Sequence, residues 1–320
     1  DVLSRLLKAK PAPHAAGARI WANEPAPKPW FDEPGALQKA EEIADKWELG
    51  ERGRDWLKKW VADGYFVVED AVPREVIAAF SERIDDVWFR SEPLDGLHIS
   101  DVVMDGVKRV HTPHAELLAS SLEARIEAKA KSNWRIGEFH LYEPTAAAVF
   151  QSQELRKICC AILDRPDVQP HFSLTFSKGS RQLLHQDTCV FHAWPMNALI
   201  GVWIAAEDIR PESGPLEYYP SSHREPLFSE FTNYPQTQRR TADLDQSNRY
   251  DQYVKETARN YKRATFTGKM GSALFWHGML IHGGAAVEDE ASTRKSFVIH
   301  YMPDGSTVAP ILLARSIGEN

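Results

Sequence analysis

A chain of 320 residues, 43% hydrophobic and 26% charged, has enough apolar material for one large core or two modest ones. A formal net charge of −7 argues against nucleic acid as the partner, and the longest apolar run, ALIGVWIAA at 198–206, falls well short of the roughly 20 residues that span a bilayer. Three cysteines, Cys159 and Cys160 adjacent and Cys189 far away, make neither a disulfide framework nor a CxxC metal site, and no charged-then-apolar leader pattern is visible, so a cytoplasmic protein is the expectation.

Residues 11–35 hold six prolines and no periodicity, which predicts an extended arm over 1–35, pinned to the body by Trp21, Trp30 and Phe31. Everything from 36 to 320 reads as a single catalytic domain. Helical patterns follow at 36–47 and at 52–62, where Leu57 and Val61, and Trp56 and Trp60, share i,i+4 spacing and face the core. GYFVVED at 64–70 predicts a strand, and Pro73 opens a helix whose apolar face carries Val76, Ile77, Phe80, Ile84 and Val87. A broken helical region runs from about 115 to 163, with a possible strand at 134–142.

After residue 170 the character changes. HFSLTFS (171–177), RQLLHQD (181–187), ALIGVWIAAED (198–208), GPLEYY (214–219), RATFTG (263–268), SALFWH (272–277) and RKSFVIHYM (294–302) are short β-rich runs divided by Gly and Pro. Many short strands without long intervening helices predict a mainly β fold, a double-stranded β-helix or jelly roll of cupin-like kind, flanked by N-terminal α-helices. A polar stretch at 225–262 is too long for a plain turn and reads as a lid-like insert or a surface elaboration.

In a strand, residues i and i+2 point to one face, so His185 and Asp187 of LLHQDT would converge. A histidine two residues before an acid is common by chance, and His114-Ala115-Glu116 and His223-Arg224-Glu225 repeat it here, but at a helix start and in a turn. Downstream, SALFWHGMLIHGGA offers His277 and His282, and spacing does not choose between them. Two histidines and one carboxylate leave three positions open on Fe(II), while Zn(II) takes the same ligands. Arg294 opens the next strand, predicted to return antiparallel beside His282, and a guanidinium grips a planar carboxylate by two parallel hydrogen bonds. Ser173, Thr175 and Ser177 alternate with apolar residues and offer one face of their strand to the pocket; a half-exposed strand is the plain alternative.

Taken as an ordered set, LLHQDT, ALIGVWIAAEDI, ESGPLEYYPSSH, LFWHGMLIHGGA with Arg294 beyond it, and GYFVVEDAVPREVI near the start resemble the phytanoyl-CoA dioxygenase-like family of Fe(II)/2-oxoglutarate oxygenases, over roughly 60–302. The resemblance implies that His185, Asp187 and His282, not His277, bind the iron, that Arg294 holds 2-oxoglutarate, and that Trp203 packs beside it. Asp187 stands where related halogenases carry a small residue, which favours hydroxylation. Two positions depart from the family pattern: Gly284 where a hydroxyl residue is usual, and Ser221 where the P-G-S-H turn has Gly.

The activity implied is a dioxygenase hydroxylating a C–H bond of a small organic molecule, using O2 and converting 2-oxoglutarate to succinate and CO2. The family includes acyl-CoA hydroxylases, but no basic cleft is legible, and a polar small molecule suits the 225–262 insert better. The rival readings are a metal-binding cupin-like isomerase, a non-catalytic jelly-roll binding protein, and a zinc-dependent hydrolase. The sequence leaves oligomeric state open.

Overall fold

The computed structural model describes residues 28–306 except 192, 233, 235–238, 240 and 241, so Trp21 and most of the Pro-rich arm lie outside the described residues. Trp30 and Phe31 are buried, and Trp30 donates its Nε1–H to the Ile162 carbonyl at 2.8 Å, which fixes the arm's end to the body. Helices α1 (Ala36–Lys46) and α2 (Gly50–Asp63) bury single stripes, Ala36, Ala40, Ile43 and Ala44 on the first, Leu57, Trp60 and Val61 on the second. Gly64, at φ +75°, ends α2 in the left-handed conformation that glycine adopts without steric cost and starts β1 (Tyr65–Val68). Pro73 then caps α3 (Arg74–Asp86), as its position predicts.

A hairpin that the sequence reading left unassigned follows: β2 (His98–Met104) and β3 (Val107–Pro113), joined by Asp105-Gly106, both at positive φ, the conformation a two-residue hairpin turn demands. The broken helical region resolves into α4 (His114–Ala119), α5 (Leu122–Lys131), α6 (Pro144–Phe150) and α7 (Gln153–Leu163). The strand expected at 134–142 shrinks to β4 (Arg135–Gly137), because Glu138 at φ +54° turns the chain into a 3-10 turn at 139–141.

The strand-rich half comprises β5 (Val168–Phe176), a one-turn helix α8 (Asp187–Val190), β6 (Ile200–Ala205), β7 (Leu216–Tyr218), α9 (Leu244–Ala258) within the insert, β8 (Ala264–Phe266), β9 (Ala273–His277), β10 (His282–Gly284) and β11 (Ser296–Pro303). Eight strands form one antiparallel sheet in the order β1-β9-β6-β11-β5-β4-β2-β3, and three form a second, β10-β7-β8. Alternate residues of the large sheet serve two cores. Val202, Ile204, Phe275, Phe297 and Ile299 pack on the helical layer, while Trp203, Leu274, Trp276, Val298 and Phe176 face the small sheet with Leu216, Tyr218 and Phe266. Burial on both faces is why these strands read as continuous apolar runs instead of alternating ones.

Three local expectations are corrected. RQLLHQD is not a strand: His185 makes one isolated antiparallel bridge with His282, and Asp187 already begins α8. Ser173 and Thr175 pair with Ile299 and Phe297 and face the helical side, so Leu174 and Phe176, not the hydroxyl residues, look into the space between the sheets. Nor is that strand half-exposed, since Ser173, Thr175 and Ser177 are all buried. Finally, the strand after Arg294 runs between β6 and β5 in the large sheet, whereas His282 pairs with Tyr218 in the small one. No helix among the described residues is long and apolar enough to cross a membrane.

Candidate metal centre

The bridge between His185 and His282 is made by both backbones, each N–H donating to the other residue's carbonyl at 2.9 and 3.0 Å. Their rings are thereby set side by side, 4.4 Å apart between centroids. His185 Nδ1 lies 2.7 Å from the Leu183 carbonyl and His282 Nδ1 2.9 Å from the Leu280 carbonyl. A carbonyl only accepts, so both Nδ1 atoms carry the proton, and both Nε2 lone pairs point inward. Asp187, reached by the turn into α8, brings Oδ1 to 3.4 Å from His185 Nε2 and 3.6 Å from His282 Nε2. Within the described residues this is the grouping of three whose ligand atoms all lie within 4.8 Å of one another. Ligands held about 2.1 Å from one cation lie roughly 3 Å apart, so the three can close on a shared ion.

Electrostatics agree with that use. Burial opposes ionisation of Asp187, but its histidine surroundings, with His300 Nε2 and Trp276 Nε1–H on Oδ2, hold its carboxyl well below the usual carboxylate range. Burial, only partly offset by Asp187, pushes His282 down to about 4 and keeps it neutral. An ionised carboxylate and a neutral imidazole are the forms a metal takes.

The second oxygen of Asp187 is occupied differently. Trp276 Nε1–H donates to Oδ2 at 2.9 Å, and His300 Nε2 lies 2.9 Å from the same atom. His300 stacks on Phe172 at 4.3 Å between ring centroids, and Phe191 lies tilted beside it at 5.1 Å. Two donors on Oδ2 leave Oδ1 as the oxygen facing the histidines. Both donors stand in one cross-strand row, Trp276–Gly201–His300–Phe172, and a Cβ on Gly201 would sit 2.1 Å from the Trp276 ring. Gly201 therefore makes the room in which the indole lies flat enough to reach Asp187. Trp276 and His300 were missed at sequence level; a glycine inside a fully buried strand was the trace they left.

Arg294 and Trp203 share the cavity with the three ligands. The Arg294 guanidinium lies 5.3 Å from the Trp203 ring centroid and 5.6 Å from that of Phe176, and it is 1% exposed. Its recorded hydrogen bond is Nη1–H to the Gly214 carbonyl at 3.2 Å, Nε is buried without a partner, and no described carboxylate stands within ion-pair distance. Glu288, Asp289 and Glu290 do not pair with it. Burial lowers its pKa to about 10, against the pull of Glu207, and it stays charged at neutral pH. A buried cation without a counter-ion is costly, so the site suits an anion delivered by a ligand.

The histidines that the sequence set beside these ligands, His277 and His114, are elsewhere. His277 is buried on the opposite face against Phe31, Trp60 and His223, with Nδ1 accepting from Met279 N–H. His114 is held by the Val87 carbonyl and Leu94 N–H. The two departures from the family pattern also find reasons. A side chain at Gly284 would come within 2.7 Å of Arg181 N, and Ser221, at φ +70°, is stapled by its hydroxyl to the Ala62 carbonyl and Asp63. The insert braces the centre from outside: Tyr250 OH accepts from Gln186 N–H, and Arg239 N–H donates to Cys189 O.

Comparison with known proteins gives one family profile, that of phytanoyl-CoA dioxygenase (PhyH), matching residues 60–296. Phytanoyl-CoA dioxygenase domain-containing protein 1 of Danio rerio is 28% identical over 56% of this chain and 60% of its own length. The Caenorhabditis briggsae homolog of that protein is 27% identical over 79% of this chain and 92% of its own. Peroxisomal phytanoyl-CoA dioxygenase of Bos taurus is 29% identical, but this chain spans only 34% of it. Among solved structures, the non-heme alpha ketoglutarate dependent carbocyclase SnoK from nogalamycin biosynthesis superposes with a TM-score of 0.55 at 17% identity, covering 89% of this chain and 90% of that one. EctD from S. alaskensis with bound Fe superposes with a TM-score of 0.54 at 17% identity, over 89% and 79% of the two chains. At such identities these superpositions establish the fold, a jelly-roll core with helical support.

Proposed function

The chain belongs to the phytanoyl-CoA dioxygenase family of iron- and 2-oxoglutarate-dependent oxygenases, and from that premise we propose that it hydroxylates a C–H bond of a small organic molecule. In this reading His185, Asp187 and His282 hold Fe(II), and Arg294 with Trp203 holds 2-oxoglutarate. The observation that carries it is the buried, counter-ion-free Arg294 in the same cavity as two inward-facing Nε2 atoms and one carboxylate oxygen.

With iron, 2-oxoglutarate and dioxygen bound, the group supplies decarboxylation of the co-substrate to succinate and CO2 and oxidation of a nearby C–H bond. The protein's share is positioning. His185 and His282 are locked in their tautomers by the Leu183 and Leu280 carbonyls, and Asp187 offers one oxygen because Trp276 and His300 occupy the other. Arg294, its Nη1 already on Gly214 O, presents its remaining donors to the far carboxylate of the co-substrate. Trp203, Leu216 and Val298 wall that end with apolar surface, which excludes water and strengthens the contact. The 225–262 insert, which carries Arg239 into the chamber and Tyr250 onto the HQD turn, serves as its lid.

The test is oxygen uptake and succinate formation with Fe(II), ascorbate and 2-oxoglutarate, in wild type and in Asp187→Ala. Activity that survives Asp187→Ala, or anaerobically purified protein that retains zinc and makes no succinate, overturns the reading. Hydroxylation is separated from the carbocyclase and epimerase chemistry named for neighbours of the same fold by the product, which gains one oxygen atom.

A further inference from the structure

The floor of the chamber extends well past the co-substrate arginine. Along one cross-strand row Phe176 opposes Arg135, Arg135 opposes Ser100, and Ser100 opposes His111. Directly opposed residues share a face of the sheet, so β4, β2 and β3 carry the cavity-facing surface outward as a polar shelf, and Arg135 and His111 line the cavity. The insert brings Arg239 to the same cavity.

Each guanidinium is paired with a carboxylate that does not line the chamber, Arg239 by two hydrogen bonds and Arg135 by one looser contact. Asp101 Oδ2 stands 3.3 Å from Arg135 Nε, and Asp251 takes Arg239 Nε and Nη2 at 2.6 and 2.7 Å. Among the described residues no hydrogen bond engages either terminal nitrogen of Arg135 or Nη1 of Arg239. The carboxylate that does line the chamber is Asp187, whose oxygens are already committed. Among the described residues the lining thus holds three guanidiniums against one spoken-for carboxylate, and the proposed function uses one of the three. Surface ion pairs formed for stability alone would have no reason to direct two arginines into one cavity.

We propose that the substrate is a compact molecule bearing an anionic group, a carboxylate or a phosphate, gripped by Arg135 and Arg239. This rests on the oxygenase reading for the location of the reacting end and deepens it by naming the substrate's charge. A cavity of about 400 Å³, which must also hold the co-substrate, lies at the small end of the range for ligand sites and keeps the molecule small. Guanidiniums pre-set by a carboxylate behind them lose little freedom on gripping an oxyanion, which suits a recognition role.

The experiment loads the protein with Co(II) and N-oxalylglycine, an unreactive mimic of 2-oxoglutarate that fills the Arg294 end, and titrates benzoate, phenyl phosphate and neutral benzamide by ligand-observed NMR. At least one acid should bind in the millimolar range and roughly tenfold tighter than benzamide. R135Q and R239Q should each remove that preference while N-oxalylglycine binding is retained, and R239K should restore part of it. Whichever acid binds better tells carboxylate from phosphate. Benzamide binding as tightly as the acids, acid binding untouched by both substitutions, or no acid binding at all overturns the proposal. The N-oxalylglycine signal reports the oxygenase reading separately: its absence in wild type would count against that reading, whatever the acids do.

Discussion

Replacing His300 by Phe tests the idea that Asp187 is aimed by the groups behind it. Phenylalanine keeps a flat ring stacked on Phe172 and beside Phe191, where His300 Nδ1 has no partner to lose, and deletes the contact of Nε2 with Asp187 Oδ2 at 2.9 Å. A hydrogen bond to a charged group contributes about 1.5–3 kcal/mol, so metal affinity should fall roughly 10- to 100-fold, the range typical for partners of metal ligands. Co(II) titration followed by its visible absorption measures this without turnover, and the same spectrum reports any change in ligand geometry. Trp276→Phe deletes the other donor to Oδ2 and should weaken binding by a similar factor. The double variant should lose more than the sum of the two losses, because a buried carboxylate oxygen without any donor costs more than one with a single donor. Wild-type affinity in His300→Phe, or strict additivity in the cycle, would show that Oδ2 needs no such support and refute the reasoning.

Gly201→Ala places a methyl against the Trp276 ring, so it should destabilise the fold by about 1–3 kcal/mol and weaken Co(II) binding together, whereas a purely structural clash would leave the affinity of the folded protein alone. Arg294→Ala should raise the 2-oxoglutarate requirement at least tenfold while Co(II) binding stays near wild type; an unchanged requirement means the co-substrate sits elsewhere. Glu138 and His140, buried 3.7 Å apart behind β5, supply a pH signature. Burial raises Glu138 to about 7, so the folded state holds its proton longer than the unfolded one and wild type loses stability from this group as pH rises from 4.5 to 7. Burial lowers His140 to about 4, so that residue adds stability as pH rises from 4 to 6.5, and the two trends cancel over most of the range. In urea melts, the stability of Glu138→Gln relative to wild type should climb between pH 4.5 and 7 by on the order of 3 kcal/mol, and that of His140→Phe should fall between pH 4 and 6.5; flat difference curves would contradict both assignments.

Much of this architecture is legible because the central strands β6, β9 and β11 each serve two cores. Residues such as Val202 and Trp203 are both buried, one against helices and one against the small sheet, and a run of them is unmistakable. Legibility fails where that pattern is absent. β3 shows only Thr112 fully buried, so the hairpin carried no apolar alternation, although Asp105-Gly106 was a usable turn signal. Leu183 and Leu184 made RQLLHQD look like a strand, yet Leu183 is 65% exposed and the segment has a single bridge as its pairing. The convergence of His185 and Asp187 survived this error because it needs only an extended residue followed by a turn, not a paired strand.

Arg294 shows the limit from the other side. Its place in the chain pointed to this cavity by a wrong route, since β11 joins the middle of the large sheet and the guanidinium arrives beside Trp203 from the start of that strand instead of from beside His282. Which strand pairs with which is a long-range property, and short motifs carry none of it. The same reason hid Arg135 and Arg239, one in a region read as mostly helical and one in the insert: single arginines say nothing of where their guanidiniums end until register and a clamping carboxylate fix them. What local sequence does record is close approach. Gly201 interrupts a buried strand at the point where Trp276 must lie against the sheet to reach Asp187, so the need of one carboxylate oxygen for a donor is written, on the strand next to that donor, as a missing side chain.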